Sequence, residues 1–157
     1  MRGLTLGTLA AIAAALSLSG CGETGRPTLS VPPADPAIAR LDGDIATRAQ
    51  ALYAALPAKT APDCAYDANM AAYAAMTADV DAMKQHAATR SDDGAMQRAS
   101  AALAETIAKA EESHKLASAK TDDRFGACMA PGAITLNADA IARATKAIAD
   151  LQTERSR

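Results

Sequence analysis

Alanine is the feature that most constrains this chain. It fills roughly a quarter of the 157 residues and recurs from the first helix-like stretch to the last. No residue has a higher intrinsic helix propensity, and no apolar side chain covers less area when buried. A chain of this texture favours helices that approach closely, and it supplies them with a thin core. Half of the residues are hydrophobic, yet only 3% are aromatic and Trp is absent. The formal net charge of −2 excludes a strongly basic nucleic-acid binder. It also excludes the charge-dense composition of a disordered acidic tail. The length suits one domain.

Residues Met1 to Gly20 read as a leader, removed from the fold. Arg2 supplies a positive start, and Leu4 to Leu18 is an uncharged apolar run. At about fifteen residues that run is short for a membrane span and right for the apolar core of a signal peptide. It ends in Leu18-Ser19-Gly20-Cys21. This segment resembles the lipobox of bacterial lipoproteins: a branched apolar residue three before the cysteine, with small residues between. The resemblance covers only the leader. It implies a diacylglycerol on the Cys21 thiol and cleavage before Cys21, so that lipid chains hold the protein at a membrane. Gly22 follows the cysteine instead of the Asp that marks inner-membrane retention, which points to the outer membrane with the domain facing the periplasm.

Residues 21–34 read as a lipidated, flexible tether, carrying Gly25, Pro27, Pro32 and Pro33 without helical periodicity. Residues 35–157 read as an all-α domain, an antiparallel up-down bundle of about four helices. Asp35-Pro36 is a cap followed by a first-turn proline, and Ile38, Leu41, Ile45, Leu52 and Leu56 follow at helical spacing. A second helix is expected from about Cys64 to Ala88, with Tyr66, Tyr73, Val80 and Ala87 seven apart beside Met76 and Met83. Ser91-Asp92-Asp93-Gly94 reads as a turn and cap. A third helix, about Gly94 to Ala119, carries Met96, Leu103, Ala110 and Ala117 in one row and Ser100, Ile107 and His114 in the next. Thr121 to Gly132 reads as a loop. Asn137 or Asp139 is the expected cap of a fourth helix bearing Ile141, Ala144, Ile148 and Leu151, and the last four residues are expected to fray.

So thin a core calls for a staple. With Cys21 assigned to lipid, Cys64 and Cys128 remain as an even pair in an oxidising compartment. An antiparallel hairpin brings the start of the second helix beside the end of the third, and Cys128 follows that end. A Cys64–Cys128 disulfide closes a loop of about 65 residues, worth roughly 4 kcal/mol in the chain-entropy account.

The chemistry-bearing residues are few. His114 is expected at an inward position near Tyr66, either as a core histidine bonded to Tyr66 or a carbonyl, or in a small polar pocket beside the disulfide. His86 is expected in solvent. Phe125, the only Phe, sits with Met129 and Ile134 in the long third connection, where they cap the bundle end or form a sticky patch. His114, Tyr66, Phe125 and Met129 are thus the candidate binding surface. The methionines have no MxM or MxxM spacing for copper and read as core filler. There is no CxxCH, no pair of Glu-x-x-His motifs, no G-x-S-x-G and no glycine-rich phosphate loop. The carboxylate pairs read as solvated faces and helix starts. No metal, cofactor or nucleic acid is expected, and no catalysis. The expected role is binding or scaffolding of an envelope protein partner. An inhibitor or immunity-type protein against an enzyme is the second reading, and a metal or small-ligand carrier is the third.

Overall fold

A computed structural model describes residues 31–90, 93–120, 125–126 and 128–157. The leader, Cys21 and the tether as far as Ser30 lie outside the described residues, as do Ser91, Asp92 and residues 121–124 and 127. The described residues form four α-helices: α1 Pro36–Ala55, α2 Tyr66–Ala88, α3 Gly94–Ser118 and α4 Pro131–Arg155. A 3-10 turn, Leu56–Ala58, extends α1. Each helix packs on its two neighbours, α1 on α2, α2 on α3, α3 on α4 and α4 on α1. The result is an antiparallel four-helix bundle.

α1 starts as its sequence dictates. The Asp35 carboxylate accepts from the amides of Ala37 and Ile38, and Pro36 holds the first helical position. The inward stripe is Ile38, Leu41, Ile45, Ala49, Leu52 and Tyr53. It meets Tyr73, Met76, Val80 and Met83 of α2, Met96, Leu103 and Ile107 of α3, and Ile134, Ile141 and Ile148 of α4 in one core. Among the methionines of α2, Met76 and Met83 are fully buried while Met70 faces solvent. Among the described residues, Ala49, Ala87 and Ala110 are the alanines buried in the core; others, such as Ala72, Ala99 and Ala144, flank it.

The helix ends are satisfied by neighbouring helices, which fixes the antiparallel order. α2 has no cap of its own, and its first amide, of Tyr66, donates to Ser118 Oγ at the end of α3 (2.7 Å). At the opposite end, Gln97 of α3 donates to the carbonyls of Ala87 and Arg90 that close α2. There too the Asp35 amide donates to Gln152 Oε1 of α4 (2.8 Å), and Arg90 pairs with Asp35. The chain therefore enters the bundle at the Asp35 end, where α2 and α4 finish and α3 begins.

Two boundaries differ from the sequence reading. α4 begins at Pro131, so neither Asn137 nor Asp139 is a cap. Proline is preorganised for the first helical position and lacks the amide that a helix start leaves unpaired. Ile134, seven before Ile141, buries the added turn against the core. The C-terminal residues do not all fray. Arg155 ends α4 with its guanidinium buried, bonded to the Asp93 carboxylate through both terminal nitrogens. Asp93 also caps α3 by accepting from the Met96 amide (3.0 Å). It is thus a buried anion at a helix start, and solvent does not reach it.

Candidate functional site

Cys64 and Cys128 form a disulfide, with Cα atoms 5.2 Å apart. It joins the approach to α2 with the approach to α4, at the end of the bundle away from Asp35. Cys128 is placed by a turn in which its amide donates to the Phe125 carbonyl (3.1 Å), and Gly126 takes a left-handed φ of 58° within it.

Beside the disulfide, a chain of hydrogen bonds crosses the core. His114 Nε2 lies 2.8 Å from the Cys64 carbonyl, and Nδ1 lies 3.1 Å from Tyr73 Oη. Tyr73 Oη is in turn 3.1 Å from Tyr53 Oη. A carbonyl only accepts, so Nε2 carries the ring proton and donates it. In the neutral ring Nδ1 then accepts from Tyr73, and Tyr73 accepts from Tyr53. Donation runs in one direction, from Tyr53 through Tyr73 and His114 to Cys64. Burial holds His114 below its ordinary pKa, favouring this neutral form, and it pushes the Tyr73 and Tyr53 hydroxyls up.

The sequence-predicted surface is therefore divided. His114 is fully buried and Met129 nearly so; both belong to the interior. Tyr66 packs edge-on to the His114 ring, with centroids 6.0 Å apart, but its hydroxyl turns outward and donates to Glu111 Oε1 at 2.5 Å. That bond and the one from Lys115 hold the Glu111 carboxyl below its usual range. Lys115 also lies over the Tyr66 ring, 4.9 Å from its centre. The partner of His114 is thus Tyr73, one heptad further into α2. Ile134 joins Met129 in closing the bundle end, whereas half-buried Phe125 borders an open groove of about 460 Å³ with Leu116, Lys109 and Lys120. His86 is exposed and 4.0 Å from Asp35.

Asp42 is the residue the sequence reading missed. It faces inward on α1 and is only 6% exposed, and its Oδ1 has no hydrogen-bond partner. Burial pushes its carboxyl up from 3.8 to about 7. It borders a second groove, about 410 Å³, between α1 and α4. The available signal was its spacing: Asp42 shares a helical face with Ile38, Ile45 and Ala49. Among the described residues no group of three or more His, Cys, Asp and Glu side chains is placed to hold a metal ion. No family model, curated protein or solved structure matches the chain.

Proposed function

We propose that this chain is a lipid-anchored cell-envelope protein, held by Cys21 in the outer membrane with its bundle in the periplasm, and that it acts by binding or scaffolding without catalysis. The observation that carries this reading is the leader: Arg2, then the apolar run, then Leu18-Ser19-Gly20-Cys21, at the distances an export and lipidation signal needs. The Cys64–Cys128 disulfide supports it, since such bonds persist in oxidising compartments. Among the described residues no helix is long and apolar enough to cross a membrane, so attachment in this reading rests on the lipid. A binding role is supported by where the polar groups sit. Tyr53, Tyr73 and His114 satisfy one another inside the core and offer no atom to a substrate.

In this reading a partner meets the end of the bundle away from Asp35. The tether joins at the Asp35 end. A helix of 25 residues, such as α3 or α4, is roughly 37 Å long, and that length separates the Asp35 end from the disulfide end. The Phe125–Leu116 groove lies at that end.

Replacement of Cys21 by Ser tests the anchor. The variant is expected in the soluble periplasmic fraction, whereas the wild type sediments with membranes. A variant that still sediments with membranes contradicts the proposal.

A further inference from the structure

Asp42 brings to the groove an acceptor, Oδ1, that no donor among the described residues meets. Its neighbours across the groove are on α4. The Thr145 hydroxyl shares its proton between the Ile141 and Ala142 carbonyls of its own helix, 3.1 Å away in each case, and so has none for Asp42. Lys146, the one cation bordering the groove, is committed to Asp150 at 2.7 Å. Asp139, the other charged group on the rim, is an anion. Gln50 borders the groove from α1 without a hydrogen bond to Asp42 Oδ1, and the apolar wall is Ala46 and Ala49 from α1 with Ala138, Ile141, Ala142 and Ala149 from α4. Mostly small apolar walls with a few polar groups, one of them an unpaired acceptor, are the make-up of a site that orients a small ligand.

The chemistry narrows that ligand. Above about pH 7, where Asp42 is ionised, its unpaired carboxylate needs a donor, and the titration below is made there. A cation suits it better than a neutral donor, because a charge-assisted bond also compensates the desolvated negative charge. The alanine walls favour an apolar body. A space of about 410 Å³ takes a small molecule and excludes a two-chain lipid or a folded partner.

We propose that the groove between α1 and α4 binds a small primary amine, its ammonium on the Asp42 carboxylate and its apolar body along Ala46, Ala49, Ala138 and Ala142. This inference rests on the packing of α1 against α4 and is independent of how the chain is anchored.

The test is a titration of the oxidised protein with n-hexylammonium, read by amide chemical shifts and by calorimetry. Saturable shifts confined to the α1 and α4 residues around the groove are expected. Asp42→Asn, which keeps the shape and removes the charge, is expected to weaken binding at least tenfold. 1-Hexanol, the same body without the charge, is expected to bind at least tenfold more weakly than the amine. Ala142→Leu, at an exposed position, fills the groove and is expected to abolish binding with the helical circular dichroism unchanged, which keeps the test decisive should Asp42→Asn fail to fold. Absence of saturable shifts, shifts centred on α2 or α3, equal binding by Asp42→Asn, equal binding of hexanol, or amine binding undiminished in Ala142→Leu would each overturn the proposal.

Discussion

At the residue scale, burial decides what each ionisable group contributes. Asp42 is the case in which it works against the fold at neutral pH. Its carboxyl rises from 3.8 to about 7 on folding, so between those values the folded chain holds a proton that the unfolded chain has released. Its contribution is therefore fully present below about pH 4 and is lost as pH rises through about 7. The size is at most about 4 kcal/mol. His114 has the opposite sign. Its pKa is lowered by burial, so the stability it confers is present above the ordinary histidine range and is lost on acidification. The two slopes oppose each other in the wild type. Asp42→Asn removes one of them: its stability relative to wild type is expected to rise steadily from pH 4 to pH 8, as measured by urea unfolding across that range. A difference that stays constant with pH contradicts the burial of Asp42. Asp93 is the contrasting buried carboxylate, because it is compensated by Arg155 and by the Met96 amide. Arg155→Ala strands that charge and is expected to cost about 3 kcal/mol or more in the same assay.

At the element scale, helix existence was legible from periodicity, the ends of α2 and α3 were read to within a residue, and helix starts were legible best where a side-chain cap marked them. α1 and α3 begin at Asp35 and Asp93, and both caps stand in the sequence. α2 and α4 have no side-chain cap at all. α2 borrows Ser118 from α3, a partner some fifty residues away that no local pattern reveals. α4 relies on Pro131 and on the burial of Ile134, while Gly132, Asn137 and Asp139 mimic a loop and a later cap. The same limit applied to the interior site. Tyr66 and Tyr73 lie on one stripe, and periodicity cannot choose between them. Tyr66 is the first residue of α2 and its hydroxyl reaches outward to Glu111; Tyr73, two turns deeper, reaches His114. Asp42 stands next to Gly43 and Asp44, the composition of a solvated surface, although its spacing places it inward. Gly43 itself offers an element-scale test. It is exposed within α1, and a Cβ there meets nothing within 4 Å. Gly43→Ala is expected to stabilise the bundle by about 0.5–1 kcal/mol, seen as a higher unfolding midpoint in urea with an unchanged slope.

At the scale of the whole molecule, two cysteines compensate for a core that alanine keeps thin. The Cys64–Cys128 link spans a sequence separation of 64 residues, encloses α2 and α3, and ties the approach to α2 to the approach to α4. Reduction is expected to lower stability by up to about 4 kcal/mol, detected as a fall in the urea midpoint between oxidised and reduced protein. A reduced bundle as stable as the oxidised one contradicts the role of a staple. The third cysteine, Cys21, carries the proposed functional account of export and lipid attachment. Intact mass measured without reductant on protein extracted from cell membranes tests that account most directly. The expected mass is that of a chain beginning at Cys21, carrying a diacylglycerol, and lighter by two hydrogens for the closed Cys64–Cys128 bond. A chain that retains Met1, or one that begins elsewhere with Cys21 unmodified or missing, contradicts it.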